Sequence, residues 1–268
     1  MRFTKMHGLG NDYLYVYGEV PTDIRDLSVR LSDRHFGAGS DGMIYISPSE
    51  TADFRMRIFN ADGSEAKMCG NGIRCVGKYV YDKGYTDKTK LTVETLSGIK
   101  ELTLHTRGGK VKTVTVGMGK SVVSDDMNII VDGPGYAETT LSLTPVSVGN
   151  PHAVIFTEDA EKVPVNTLGP LIEKHPAFPG GVNVEFVQIL GKDRLRMRVW
   201  ERGSGITMAC GTGACASVSA ACEKGFCRYD EPVEVILDGG SLKITVTSSR
   251  QVIMTGPAAF IYEGEVPE

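Results

Sequence analysis

The sequence has no long hydrophobic run and no excess of charge of one sign. No apolar segment approaches the roughly 20 residues that a membrane-spanning helix needs, and the segment Met1–His7 lacks the apolar stretch of a signal peptide. The 29 Lys and Arg residues are scattered among 33 Asp and Glu residues, without the basic stripe that is typical of nucleic-acid binding. We therefore expect a cytoplasmic protein that binds neither membranes nor nucleic acids.

Metal-ligand spacing is also missing from the cysteines. The chain contains six of them, which are Cys69, Cys75, Cys210, Cys215, Cys222 and Cys227. None belongs to a Cys-x-x-Cys pair, and no histidine follows at ligand spacing, so we expect no metal site. In a cytosolic chain, cysteines are more often catalytic or buried than disulfide-bonded. A dinucleotide-binding loop is absent too, because Gly8-Leu9-Gly10 lacks a preceding buried strand and a clear following helix.

What remains has the composition of a globular protein. Apolar residues make up 41% and charged residues 23% of a chain of 268 residues, which is long enough for two domains. Short alternating segments rich in Val, Ile, Tyr and Thr predict strands in both halves, but none before residue 13 or after residue 255. Between residues 117 and 152 the only predicted strand covers residues 146–148. Four helices are predicted, over residues 26–35, 70–83, 167–175 and 211–224.

An internal repeat is the most informative feature of the sequence. Arg55–Asn60 reads Arg-Met-Arg-Ile-Phe-Asn, and Arg196–Glu201 reads Arg-Met-Arg-Val-Trp-Glu. The same register, carried forward without a gap, places the Cys-Gly-x-Gly motif Cys69–Gly72 on a second one, Cys210–Gly213. Since the register holds across two separate motifs, the chain is predicted to contain two copies of one α/β unit. In each copy a strand and a loop lead to the cysteine, and a helix follows.

A second match supports this organisation, because Gly10-Asn11 corresponds to Gly149-Asn150 in nearly the same register. The predicted fold class is α/β (α+β) with two pseudo-symmetric tandem domains. We expect residues 1–115 together with 256–268 to form the N-terminal domain, and residues 116–255 to form the C-terminal domain. Each domain then carries one cysteine of the repeated motif.

The position of these two cysteines predicts their chemistry. Cys69 and Cys210 each precede a predicted helix, where unpaired backbone N–H groups and the helix dipole stabilise a thiolate and lower the pKa of the thiol. The glycines of the motif let an anion such as a substrate carboxylate approach those N–H groups. If both helices point at one cleft, the α-carbon of an amino acid would lie between two sulfurs. One thiolate would then remove the α-proton, and the other thiol would protonate the opposite face. No electron-sink cofactor is needed for this, and we expect none.

Longer motifs identify a family. They are Met6–Asp12, Asn60–Glu65, Met68–Cys75, Gly149–His152, Asn183–Val187, Glu201–Gly203 and Ala209–Cys215. Over nearly the whole chain, these motifs closely resemble those of diaminopimelate epimerase. The resemblance implies interconversion of LL- and meso-2,6-diaminopimelate without pyridoxal phosphate, in lysine and peptidoglycan precursor synthesis. It also implies two pseudo-symmetric domains, each a mostly antiparallel sheet or barrel wrapped around a central helix, and a homodimer.

The resemblance also assigns roles to residues. Cys69 and Cys210 are the acid/base pair, while His152 and Glu201 tune the pKa values of the cysteines. The residues expected to bind substrate are Asn11, Asn60, Gly70, Asn71, Asn150, Asn183, Glu201, Arg202, Gly211 and Thr212. Arginine suits this role because its guanidinium binds a carboxylate with two hydrogen bonds, and asparagine both donates and accepts. Glu201 would pair with an ammonium group of the substrate.

Two positions depart from the family pattern. Ile206 stands where members usually carry Glu. Without that carboxylate, the loop before Cys210 is expected to be held less firmly. Gly42 stands where some members contribute a side-chain amide.

Three alternatives to this prediction stay open in the sequence. The nearest is a related two-cysteine racemase acting on proline, hydroxyproline or histidine. That hypothesis is less favoured, because the Arg202, Asn60 and Asn183 set suits a substrate with a second charged end. The others are a member of the fold without two-cysteine chemistry, and a thiol redox switch formed by Cys69 and Cys210.

Overall fold

The computed structural model describes residues 1–133 and 136–266. The chain divides into two compact units. Unit 1 comprises Met1–Gly117 and Thr255–Glu268, and unit 2 comprises Met118–Met254. The fold is mixed α and β and dominated by strands, with four α-helices in the described ranges, which confirms the predicted fold class. None of those helices is long and apolar enough to cross a membrane.

Unit 1 begins with a strand and ends with one. In chain order its elements are β1 (Arg2–Gly8), β2 (Asn11–Tyr17), α1 (Ile24–Ser32), β3 (Gly42–Ser47), β4 (Phe54–Asn60), β5 (Glu65–Ala66), α2 (Gly70–Asp82), β6 (Lys90–Thr95), β7 (Gly98–Arg107) and β8 (Lys110–Lys120). The last strand of the chain, Ala259–Glu265, also belongs to this unit.

Unit 2 repeats this order after two further strands. Its elements are β9 (Val122–Val123), β10 (Met127–Gly133), β11 (Tyr136–Ser147), β12 (Pro151–Phe156), a 3₁₀ turn (Ala160–Lys162), α3 (Val165–Glu173), β13 (Asn183–Gly191), β14 (Arg194–Glu201), β15 (Gly205–Ile206), α4 (Gly211–Glu223), β16 (Pro232–Leu237), β17 (Gly240–Val246) and β18 (Gln251–Pro257). The final strand is therefore β19 (Ala259–Glu265).

The two units share one pattern of strand pairing. In unit 1, β19, β1, β2, β3, β4, β6, β7 and β8 are hydrogen-bonded in that order, and all pairs are antiparallel except β2–β3 and β4–β6. In unit 2, β10 to β14, β16 and β17 follow the same order, with the parallel pairs at β12–β13 and β14–β16. The helices follow the register of the sequence repeat as well. The first residue of α3 is equivalent to that of α1, and the first residue of α4 is equivalent to that of α2. The repeat in the sequence is thus a repeat in the fold.

A buried helix lies against the sheet of each unit. Helix α2 contacts β1, β2 and β7, and α4 contacts β11 to β14, β16 and β17. Their sequences fit burial, because α2 turns Ile73, Val76 and Val80 inward and α4 consists of small and apolar residues. Both helices end before a glycine with positive φ, Gly84 at 80° and Gly225 at 74°, a backbone conformation that glycine adopts without strain.

The helix predictions are correct in position and differ at the ends. The observed α1 stops at Ser32 instead of reaching residue 35. The carboxylate of Asp33 accepts hydrogen bonds from the N–H groups of His35 and Phe36, both at 2.7 Å, so the chain turns there.

The strand predictions miss the two ends of unit 1 and the start of unit 2. Strands β1 and β19 pair with each other, and the N-terminal ammonium of Met1 donates a 2.7 Å hydrogen bond to the carbonyl of Val266. The predicted strand over residues 146–148 is only the end of β11, which pairs along its length with β10. Much of β10 and the first part of β11 is exposed, so the apolar alternation that signals a strand is weak.

Candidate active site

Cys69 is the N-cap residue of α2 in unit 1, and its side chain is half-buried. Its Sγ accepts a hydrogen bond from the N–H of Gly72 at 3.3 Å, and the thiol donates to Oδ1 of Asn11 at 3.3 Å. The amide of Asn11 is held in turn by Asp41, whose Oδ2 accepts from Nδ2 at 2.7 Å. The structure therefore brings two predicted site residues, Asn11 and Cys69, into contact.

A buried arginine fixes the first turn of α2. The guanidinium of Arg74 has no exposed surface and donates 3.0 Å hydrogen bonds to Oδ1 of Asn71 and to the carbonyl of Gly70. It also donates to the carbonyl of Pro257 at 3.1 Å. Gly70 and Asn71 are the residues expected to bind a carboxylate through their N–H groups. Because an oxygen atom of each accepts a hydrogen bond from Arg74, the start of the helix has a defined orientation.

Asn60 ends β4 in unit 1, and its Nδ2 donates to Oγ of Ser64 at 3.1 Å. Gly42 lies opposite it in the β3–β4 register, with a positive φ of 151°. A Cβ built on Gly42 would lie 2.2 Å from the carbonyl oxygen of Phe59, so this backbone has no room for a side chain. The departure from the family pattern at Gly42 therefore follows from the local path of the chain.

Cys210 is the N-cap residue of α4 in unit 2 and is buried. Its Sγ accepts from the N–H of Gly213 at 3.3 Å and lies 3.6 Å from Oγ1 of Thr212. Burial raises the pKa of the Cys210 thiol well above its usual value, and the carboxylates of Glu201 and Glu185 raise it further. The hydrogen bonds from Thr212 and Gly213 lower this pKa but do not compensate. The expectation that the helix start gives a lowered pKa is therefore wrong for Cys210.

His152 and Asn150 lie beside Cys210 in unit 2. Nδ1 of His152 lies 2.7 Å from Oε1 of Glu185, and neither side chain has any exposed surface. Nε2 of His152 lies 3.1 Å from Oδ1 of Asn150, whose Nδ2 donates to Oγ1 of Thr212 at 3.3 Å. The structure thus places three predicted site residues, Asn150, His152 and Thr212, in one chain of contacts that ends at the Cys210 thiol.

Glu201 ends β14, and burial raises the pKa of its carboxyl. Hydrogen bonds from Thr207, whose Oγ1 donates to Oε1 of Glu201 at 2.5 Å, and from Cys210 lower that pKa by less. Next to Thr207, Ile206 pairs with Trp200 in the short β14–β15 ladder. The loop before Cys210 is therefore held by backbone pairing and by Thr207, and Ile206 itself is exposed.

Asn183 and Arg202 brace the same end of unit 2. Nδ2 of Asn183 donates to the carbonyl of Pro151 at 2.9 Å, and its Oδ1 accepts from the N–H of Arg202 at 3.0 Å. The guanidinium of Arg202 is exposed and donates to the carbonyl of Gly180 at 3.1 Å. Both polar ends of Asn183 are thus bonded to backbone, while the Arg202 guanidinium remains accessible. A role for these two residues in substrate binding stays a prediction.

Glu185 is a residue of this site that is not among the predicted ones. It lies in β13 between Val184 and Phe186 and has no exposed surface. A charged residue inside an apolar strand is rarely buried unless it is paired, and this was the available signal. In the described ranges 1–133 and 136–266, no group of His, Cys, Asp and Glu residues could hold a metal ion.

The chain matches known proteins along nearly its whole length. The family model described as "Diaminopimelate epimerase" matches residues 3–124 and 144–261. Proteins named diaminopimelate epimerase are 47% identical in Methanococcus maripaludis, 48% in Acetivibrio thermocellus and 50% in Phocaeicola vulgatus. Each comparison covers 99% of this chain and 98–99% of the relative.

Solved structures of low sequence identity share the fold. A probable proline racemase from Agrobacterium radiobacter superposes with a TM-score of 0.74 at 20% identity, over 99% of this chain and 92% of that one. A phenazine biosynthesis protein of the PhzF family from Bacillus anthracis superposes with a TM-score of 0.76 at 16% identity, over 100% and 99%. At these identities the likeness concerns the fold alone.

Proposed function

The chain belongs to the diaminopimelate epimerase family, and from this membership we propose that it interconverts LL- and meso-2,6-diaminopimelate. In the proposed reaction, one α C–H bond breaks and its proton passes to a thiolate. A thiol then gives a proton to the opposite face of the same carbon. Nothing is oxidised or reduced, and no cofactor takes part.

The observation that carries the proposal is the pair of equivalent cysteines. Cys69 and Cys210 are both N-cap residues, and each accepts a hydrogen bond from the backbone of the last glycine of its Cys-Gly-x-Gly motif. We assign the two proton transfers to these two thiols. In the resting enzyme we assign the thiol form to Cys210, because burial and two neighbouring carboxylates disfavour its ionisation. Cys69 then starts as the base.

The helix starts supply the anion site in this proposal. The N–H groups of Gly70 and Asn71 in unit 1, and of Gly211 and Thr212 in unit 2, lie in the first turns of α2 and α4. Backbone donors at such positions favour the charge that builds on a carboxylate when the α-proton leaves.

Further side chains complete the proposed site. His152 and Glu201 would tune the cysteines, and Glu201 would also bind an ammonium group of the substrate. The remaining polar ends of the substrate would be bound by Asn11, Asn60, Asn150, Asn183 and Arg202. Among these, the exposed guanidinium of Arg202 suits the distant carboxylate of diaminopimelate.

The decisive experiment follows the α-proton. Fully reduced enzyme is incubated with LL-diaminopimelate in D₂O, and the products are separated and analysed by mass spectrometry. We expect the meso isomer with deuterium at one α-carbon. Absence of both exchange and epimerisation would refute the proposed function. Running the assay on proline, hydroxyproline and histidine as well tests the related racemase activities, for which we expect no exchange.

Single cysteine variants test the assignment of the two thiols. Cys69→Ala and Cys210→Ala should each abolish turnover, because inversion needs a group on both faces. Cys222→Ala is the matched control, since Cys222 is buried at the far end of α4 and burial raises the pKa of its thiol to about 12. Retention of substantial turnover by either of the first two variants would rule out the two-thiol mechanism.

The resemblance also leads us to propose a cytoplasmic homodimer that serves lysine and peptidoglycan precursor synthesis. Light scattering coupled to size-exclusion chromatography tests the assembly, and we expect twice the chain mass of 28.9 kDa.

A further inference from the structure

The internal repeat shows that the two cysteines have different neighbours at one equivalent position. Glu185 corresponds to Ile44 in the same register that aligns Cys210 with Cys69. A Cβ built on Gly72 would lie 2.7 Å from Cδ1 of Ile44, and one built on Gly213 would lie 2.6 Å from Oε1 of Glu185. Both side chains therefore press against the last glycine of a Cys-Gly-x-Gly motif. Unit 1 uses an apolar residue there, and unit 2 uses an acid.

The partner of Glu185 differs between the units as well. Strand register aligns β2 and β3 with β12 and β13, since Leu14 pairs with Met43 and Ala153 pairs with Val184. His152 therefore corresponds to Tyr13, in the register of the match between Gly10-Asn11 and Gly149-Asn150. Unit 2 thus has a buried ionisable pair where unit 1 has a tyrosine and an isoleucine.

A continuous line of contacts joins this pair to the Cys210 thiol. From Oε1 of Glu185 it passes through the imidazole of His152 (2.7 and 3.1 Å), the amide of Asn150 (3.3 Å) and the hydroxyl of Thr212 (3.6 Å) to Sγ. With Asn150 donating to Thr212, its Oδ1 faces His152, so both ring nitrogens of His152 face oxygen atoms. Nε2 of His152 then donates to Oδ1 of Asn150, and Nδ1 makes a second hydrogen bond with Oε1 of Glu185, so both edges of the ring are held.

Packing alone does not account for an acid at this position. Oε2 of Glu185 is buried and has no hydrogen-bond partner among the described residues. Leaving a carboxylate oxygen unpaired in the interior costs free energy, whereas an apolar residue such as Ile44 fills the equivalent space in unit 1 without that cost. Three ionisable groups surround Glu185: its partner His152 from β12, Glu201 from β14 and Cys210 at the start of α4.

We propose that Glu185 is a positioning residue for the Cys210 half of the reaction, which acts by orienting His152 and, through Asn150 and Thr212, the Cys210 thiol. The orientation of the imidazole, and with it the line of contacts that ends at Sγ of Cys210, depends on the contact between Oε1 of Glu185 and Nδ1 of His152. This inference rests on the proposed function for its effect on turnover, but its effect on Cys210 itself is independent of that function.

The test compares two substitutions of Glu185 with a charge-matched control. Glu185→Gln keeps the size of the side chain and removes the charge, and Glu185→Ile copies unit 1. Glu161→Gln is the control, because Glu161 is an exposed acid of unit 2 that pairs with Arg196 at 2.6 Å. Each protein is treated with iodoacetamide over a range of pH, and the alkylation of the Cys210 and Cys69 peptides is measured separately by mass spectrometry.

We expect Glu185→Gln to move the alkylation midpoint of Cys210 to lower pH by about one unit, since a neighbouring negative charge is removed. The Cys69 profile should not move, which also reports that unit 1 is folded. On turnover of diaminopimelate, kcat should fall on the order of 10- to 100-fold in both variants, with KM within about threefold. Glu161→Gln should match the wild type in every measurement.

The proposal would be overturned if both Glu185 variants kept the alkylation midpoint of Cys210 at the wild-type pH and had a kcat within twofold of the wild type. A change in thermal stability with an unchanged Cys210 profile would also overturn it, because that result describes a purely structural acid. Failure of the wild type to epimerise diaminopimelate would refute the proposed function instead, and the alkylation midpoint of Cys210 would still decide the role of Glu185.

Discussion

Gly213→Ala should damage the protein more than the equivalent substitution Gly72→Ala, although both glycines occupy the same position of the same motif. In a helix, replacing glycine by alanine gains about 1 kcal/mol from propensity. Against this, a Cβ at either position would lie about 1 Å inside normal contact distance, and overpacking typically costs about 1–3 kcal/mol. The outcome depends on whether the opposing atom can move.

At Gly72 the opposing atoms are the ends of the apolar side chains of Ile44 and Met56, which can rotate. At Gly213 the opposing atom is Oε1 of Glu185, which is bonded to His152 at 2.7 Å. We expect Gly72→Ala to be nearly neutral, and Gly213→Ala to be destabilised by about 2 kcal/mol, which lowers Tm by roughly 4–8 °C. Because the same clash displaces the Cys210 thiol, kcat should fall at least about tenfold more than in Gly72→Ala.

Calorimetry gives Tm, and the deuterium assay gives kcat for both variants. Equal Tm and equal kcat of the two variants would refute this expectation, because the rigidity of the Glu185–His152 pair would then be irrelevant to packing against α4.

Two other substitutions test local parts of this structure. The pKa of Glu201 is raised in the folded protein, so its contribution to stability is present below its ordinary value of 4.5 and is lost as pH rises through the folded pKa. When the free energy of unfolding is measured in urea at pH 5 and at pH 8, the decrease between the two pH values should therefore be smaller in Glu201→Gln than in the wild type. Equal decreases in the two proteins would contradict the shift. In the register of the repeat, Arg198 and Ile206 correspond to Arg57 and Glu65, which form an ion pair at 2.7 Å. Ile206→Glu should therefore give Arg198 an acidic partner and raise the unfolding free energy by about 0–1 kcal/mol in low salt. A marked loss of stability would contradict the equivalence of the two positions.

Much of the fold could be predicted because the repeat makes each half a check on the other. The starts of α2 and α4 at Gly70 and Gly211 were predicted correctly, since glycine motifs and a preceding cysteine mark both of them. Strand β1 is missed although its neighbour in the sequence, β2, is one of its partners, and β19 is missed because its partner β1 lies at the opposite end of the sequence. Local patterns carry no information on such a contact.

The candidate site also has parts that the sequence predicts and parts that it does not. Cys69 and Asn11, predicted from motifs that lie far apart, are in contact. The raised pKa of Cys210 could not be predicted from its position at a helix start, because it depends on burial and on acids of two other strands. Glu185 lies within the family motif Asn183–Val187, yet the sequence does not show its pairing with His152, which depends on β12 and β13 lying side by side.

The way in which the last strand returns to the first one has a consequence for synthesis on the ribosome. Unit 2 is one uninterrupted segment, Met118–Met254, whereas the sheet of unit 1 needs β19, which is made last, as the neighbour of β1. While the chain is being made, β1 therefore has an open edge, and the buried Arg74 lacks the carbonyl of Pro257 as its acceptor. The unit that is translated first is thus the one that is completed last, and during that interval the open edge of β1 offers unpaired backbone groups to other chains.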